Sequence, residues 1–281
     1  MGLSSETIRD MFNFVLKYPE SFLFSIILGV LTFLGVFIMV GGALVSLGPA
    51  LSSVVQSSSF PGFSSFILTN LTEVAKAAVF VLIGFVIIII ANLLRVGGFP
   101  LLVYQAARKR KIDFASIFQM TFRKLAKIFL ASLLVGLVIA IPLLPAISLL
   151  FESLSNLPAS FSLSSFGISL IVLIICGLIS VFLGIKFWLT FPILMLENKG
   201  VIDSLKASWK RTEGHLSSIL GVLILYALLV SLPLDIIDGL LKLDGYIVYL
   251  IWALIESVIS VTLSGVLPTI YYFNSRSMRR R

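Results

Sequence analysis

Side chains suited to polar chemistry are scarce in these 281 residues: one cysteine, one histidine, and only 12% of positions charged. Cys176 alone excludes an internal disulfide and any cysteine-based metal site, and it carries no information about redox compartment. No phosphate-cradling glycine loop, nucleotide motif or metal-ligand spacing occurs, so the expectation is no cofactor and no metal. Acids are outnumbered, 13 against 21 bases, which gives a net charge of +8. What fills the chain is hydrocarbon. At 59% hydrophobic and a mean hydropathy of +1.12, it lies outside the range of soluble domains.

Apolar runs of roughly 18 or more residues mark spanning helices, and six occur, at about 21–47, 75–94, 128–150, 168–189, 216–234 and 246–272. The first is longer than the ~7–15 residues of a secretory h-region and has no strongly basic leader, so it is read as a true span. The bases collect at Arg9 and Lys17, 108–111 with Arg123, Lys124 and Lys127, 199–211, and 276–281. In a six-span layout these all fall on one side. The opposite loops hold only Lys76 and Lys242, against Glu73, Glu152, Asp235, Asp238 and Asp244. This positive-inside asymmetry predicts both termini in the cytoplasm of a cell-membrane protein. The basic excess is read as a topology signal that attracts anionic lipid headgroups, and nucleic acid is not expected as a partner. Asn70-Leu71-Thr72 matches an N-glycosylation acceptor and falls in the first outer loop.

Each odd-numbered span is preceded by a segment of helical apolar spacing with charges opposite. The sets are Ile8, Met11, Phe12 and Val15; then Phe114, Ile117, Phe118, Phe122 and Leu125, with Asp113 as N-cap; then Ile202, Leu205, Trp209 and Leu216, opposite Asp203, Lys206, Lys210 and Glu213. All three read as amphipathic helices at the cytoplasmic interface. The even-numbered spans share a proline near that end, Pro100, Pro192 and Pro268, each expected to kink its helix. After Pro192, Gly200 is expected to end the return helix, and Gly214 to release the chain into the fifth span. The chain thus reads as an all-α, single transmembrane domain of three hairpins, with pseudo-repeats at about 1–110, 111–198 and 199–281.

The segment with Pro192, Glu197, Lys199-Gly200, Ser204-Leu205-Lys206, Ser208-Trp209-Lys210 and Glu213-Gly214 resembles the membrane domain of glycerophosphodiester phosphodiesterase proteins and of related uncharacterised six-span families. The run from Gly97-Gly98-Phe99-Pro100 through Asp113, Phe118 and Phe122 is similar to that group's second unit. The resemblance is clearest over about residues 95–221 and contains no catalytic motif. Those enzymes carry a separate soluble barrel for which the six spans leave no room. The resemblance therefore implies the fold and not the hydrolase activity.

Within spans, an unpaired charge costs at least about 2.5 kcal/mol on insertion scales, which makes such residues functional pointers. Arg95, Lys186 and Glu256 qualify. Arg95 precedes Pro100 by five residues and Lys186 precedes Pro192 by six, so both are expected to snorkel to the headgroups. Glu256 lies twelve residues before Pro268, roughly 18 Å along a helix. Either it is protonated or hydrogen-bonded to a polar neighbour such as Ser257 or Ser260, or it lines a polar cavity for a proton, an ion or a lipid headgroup. Asp235, Asp238, Gly239 and Glu256 partly match the signature of membrane phosphatidyltransferases. Lys242-Leu243, Trp252 and Ser260 break that match, and it is read as chance. His215, Ser208, Glu197 and Asp203 invite a hydrolytic triad, but Ser208 and His215 are seven residues apart, roughly 10 Å on a helix.

The functional expectation is a non-catalytic, lipid-interacting scaffold or membrane subunit of an assembly, with lipids, a membrane-protein partner or a second copy as partners. Small residues such as Gly29, Gly35, Gly41 and Gly42 allow packing within or between chains. The alternative is a transporter or lipid translocase with a cavity at Glu256. A membrane-embedded lipid enzyme ranks third.

Overall fold

The computed structural model describes residues 2–57, 63–108, 111–155, 163–241 and 246–278. Among these the chain is helical, with no strand. In order the helices are α1 Leu3–Lys17, α2 Glu20–Ser57, α3 Phe63–Thr69, α4 Leu71–Ala107, α5 Phe114–Arg123, α6 Leu125–Ala140 and α7 Leu143–Ser155. They continue with α8 Leu163–Phe187, α9 Thr190–Leu196, α10 Val201–Thr212, α11 Leu216–Tyr226, α12 Leu232–Leu241 and α13 Tyr246–Met278; a π-helical turn, Ala227–Ser231, joins α11 to α12.

Five of these stretches are long and apolar enough to cross a membrane: Glu20–Ser52, Leu71–Ala107, Gly167–Leu196, Leu216–Leu241 and Ile251–Arg276. The third expected span is a pair, Leu125–Ala140 and Leu143–Phe151, bent by 54°. The bend falls at Pro142, which has no N–H to continue the ladder and whose ring presses on the preceding turn. Counted as one span, the pair brings the total to six. The flanks carry bulky apolar side chains exposed on the protein surface, among them Phe33, Phe37, Leu82, Leu137, Ile174, Leu178 and Leu254. Water would penalise such a surface heavily, whereas lipid does not. The protein is an integral, multi-pass membrane protein.

The chain divides into two compact units, one of residues 20–95 and one of residues 2–19 with 96–278. In the first unit, α2 meets the first part of α4 through glycines. A side chain at Gly84 would run into the Gly35 carbonyl and Met39, and one at Gly42 into the Phe80 ring. Backbones approach that closely only where Cβ is absent. Gly29 and Gly41 have open space around them and take no part.

In the second unit, α1 packs against α11 and α13, α7 and α6 against α8, and α10 against α6, α8 and α9. The end of α4 is seated by two glycines: a side chain at Gly97 would meet Thr121 and Ile128, and one at Gly265 would meet the buried ring of Phe99. The π turn stands just before Pro233, whose ring would crowd the Leu229 carbonyl in a regular α-turn.

Candidate functional site

The three prolines do not act alike. Pro100 and Pro268 lie inside continuous helices. At Pro192 the helix stops earlier, at Phe187, and α9 begins after a turn at Trp188-Leu189. Pro192 then occupies the first turn of α9, where its missing N–H costs no hydrogen bond. Next, α9 ends at Leu196, and the chain reverses through Asn198 with φ 53°. Asparagine is among the few side chains that tolerate this left-handed region. Gly200 does not end the return helix as expected; it is the extended N-cap of α10, and the helix has already closed at Glu197. Gly214, with φ 77°, does make the left-handed turn from α10 towards α11.

The reversal sets Glu197 and Lys199 on either side of the turn and lays α10 back over α9. Glu197 becomes the centre of a charge cluster. Arg211 of α10 grips it with two nitrogens, one 2.7 Å from Oε1 and the other 3.0 Å from Oε2, and Lys199 Nζ is 3.0 Å from Oε2. From α13 the Tyr272 hydroxyl donates to Oε1 at 2.5 Å, and Arg276 donates to that hydroxyl oxygen at 3.0 Å. The Arg211 guanidinium also stands 5.3 Å from the Tyr272 ring centroid. Partial burial alone would raise the Glu197 carboxyl. Hydrogen bonds from Arg211, Tyr272 and Lys199 overcome that and hold it at about 2. For Arg211, burial opposes the charge, and the Glu197 bonds raise its pKa above the ordinary value.

Beside this cluster lies a cleft of about 150 Å³ lined by Arg211, His215, Tyr272, Ser275 and Arg276. His215 is therefore close to functional groups, but not to those of a triad. The Ser208 hydroxyl is buried and donates to the Lys186 carbonyl at 2.8 Å, while Glu197 is held by Arg211. Asp203 stands in the first turn of α10, where an acid suits the helix dipole.

α10 turns a small, largely hydroxyl-bearing face inward. Its buried residues are Val201, Ser204, Ser208 and Thr212, whereas Ile202 and Trp209 are 52% and 39% exposed. Small side chains at i, i+4 and i+8 allow close approach, and their hydroxyls find carbonyls, that of Lys186 above all. Lys186 itself is only 5% exposed, with its ammonium 4.9 Å from the Trp209 ring and 5.6 Å from that of Phe182. It is sheltered by aromatic faces that attract a cation.

The other candidates are not among the residues that line this cleft. Arg95 is half-buried on α4 and Glu256 half-buried on α13. Asn70 follows α3, its side-chain amide donating to the Phe66 carbonyl at 3.0 Å. Asp235 and Asp238 are on α12, and Lys242 and Leu243 lie outside the described residues. Asp113 caps α5 by accepting from the Ala115 N–H at 3.1 Å, as its position predicts. No group of three or more metal-ligating side chains occurs among the described residues. Tyr272 and Arg276 escaped the sequence reading because they are distant from Glu197 in the chain. Their one signal was depth: Tyr272 follows Pro268 by four residues, and Glu197 follows Pro192 by five.

Neither a curated protein nor a solved structure matches the chain. A family model does, over residues 59–278, a stretch that includes Glu197, Arg211, His215, Tyr272 and Arg276. That model describes the membrane domain of glycerophosphoryl diester phosphodiesterase, and with well over half of its length matched the chain belongs to this family.

Proposed function

We propose that the protein is a non-catalytic, lipid-interacting membrane scaffold, or the membrane subunit of an assembly. The observation that carries this reading is the commitment of Glu197. Its carboxylate is bound by Arg211, Lys199 and Tyr272, which makes it a structural tie between α10 and α13 and occupies it as a base. The surrounding bases, with Lys206 and Lys210 exposed on α10, then form a cationic face suited to anionic headgroups or to an acidic partner. In this reading the six spans form three hairpins, one per pseudo-repeat. α1, α5 and α10 lie at the interface, and both termini are cytoplasmic in the cell membrane. Cys176 is the sole cysteine, so cysteines placed at Ser5 and Ser275 in a Cys176→Ala background should label from one side, and one placed at Thr72 from the other. A partner held in mild detergent should be lost on charge reversal of Lys206 and Lys210. Turnover of a headgroup ester by the pure protein would defeat the reading.

A transporter or lipid translocase is the second reading, supported by the buried Trp252 Nε1, which has no hydrogen-bond partner among the described residues and lies one turn from Glu256 on α13. Flux in proteoliposomes that falls in Glu256→Gln, with folding intact, would favour it over the scaffold.

A further inference from the structure

We infer that the cleft between the α10–α11 turn and the end of α13 is a binding site for a phosphate group, and that the phosphate is that of an anionic lipid headgroup. The cluster has more donors than its one carboxylate can take. A carboxylate offers about four lone-pair sites. Those of Glu197 are taken by two nitrogens of Arg211, by Lys199 and by Tyr272. Three cations, Lys199, Arg211 and Arg276, therefore face one anion. Each guanidinium carries five N–H groups; Arg211 uses two of them on Glu197 and Arg276 one on Tyr272. The His215 imidazole has no hydrogen-bond partner among the described residues. Arg211, Arg276 and His215 line one cleft, together with Tyr272 and Ser275, whose hydroxyls already donate to Glu197 and to the Tyr272 carbonyl.

A tetrahedral oxyanion fits this arrangement. It offers several acceptor oxygens to forks arriving from two directions, and arginine recognises phosphate through such paired N–H bonds. Size agrees: about 150 Å³ is well under the roughly 300–1,000 Å³ of pockets that enclose a drug-sized ligand. The cleft can hold a phosphate group with some of its water, not a nucleotide. Depth supplies the source, because Arg276 stands only four residues beyond the apolar run 246–272. A cation there stands at the level of lipid headgroups.

The proposal rests on the lipid-interacting reading only for the source of the phosphate. The full chain in nanodiscs of equimolar phosphatidylcholine and phosphatidylglycerol, released into native mass spectrometry, should retain one phosphatidylglycerol per chain, and millimolar inorganic phosphate should displace it. Arg276→Gln should weaken retention about tenfold, the effect of losing one charged hydrogen-bonding group. His215→Gln should weaken it less and keep the wild-type unfolding temperature, and Arg276→Gln should lower that temperature by no more than the loss of its one bond to the Tyr272 hydroxyl, because neither residue touches Glu197. Binding of inorganic phosphate without retention of the lipid would keep the site and overturn the lipid as its source. Equal retention of the two lipids with no effect of phosphate, or undiminished retention in both variants, would overturn the site. Charge reversal of Lys206 and Lys210, which do not line the cleft, tests the scaffold reading separately.

Discussion

Two junctions in this protein begin alike in sequence and end differently in structure. After Pro100, α4 continues to Ala107, and Gln105 accepts the Asp113 N–H at 3.0 Å; after Pro192, α9 ends within a turn and Glu197 draws in Arg211 and Tyr272. Gln105 and Glu197 both stand five residues beyond their prolines. The amide makes one exposed, local bond. The carboxylate gathers donors from α10 and α13, because a charge sheltered from water must be met by opposite charge. One amide-to-acid difference thus separates a loop tie from the anchor of a tertiary cluster.

The contrast can be tested by mutation and by pH, in descending order of effect. Glu197→Gln should destabilise the protein by roughly 2–4 kcal/mol, since it leaves Arg211 and Lys199 half-buried without their anion. Thermal unfolding in detergent measures this, and Arg211→Gln in the same chain should recover part of the loss. Acid should act in the same direction. The Glu197 carboxyl is depressed to about 2 from 4.5, so its contribution is complete above about pH 4.5 and is lost as the pH falls towards 2. The wild type should therefore lose stability over that window more steeply than Glu197→Gln. A parallel decline would show that the cluster contributes little. Asp113→Ala should cost about 1 kcal/mol as the loss of an N-cap. Gln105→Ala should cost least, roughly 0.5 kcal/mol for a neutral exposed bond, and an effect as large as that of Glu197→Gln would dissolve the distinction between the two junctions.

The helical, membrane-spanning character was legible because hydropathy is local: a run such as 168–189 needs no knowledge of its neighbours to be read as a span. Caps and turn residues at Asp113 and Gly214 were legible for the same reason. The bend at Pro142 was present in the sequence, but apolar run length counts residues and is blind to direction. α10 shows a deeper limit. Its periodicity sets Ile202, Leu205 and Trp209 on one apolar face without saying whether lipid or protein covers it, and burial within the protein falls on Ser204, Ser208 and Thr212. Where lipid or headgroup replaces water, apolar side chains gain little by turning inward, so close fit and hydroxyl–carbonyl bonds choose the face.

Sequence alone determined that this chain lives in a membrane, where Asp113 caps a helix and Gly214 turns the chain, and which family it resembles, since each follows from composition or from residues a few positions apart. Tertiary structure alone decided that Glu197 would meet Tyr272 and, through that hydroxyl, Arg276. Their meeting depends on where α9, α10 and α13 end relative to one another, and only packing brings charges so distant in the chain within a few ångströms.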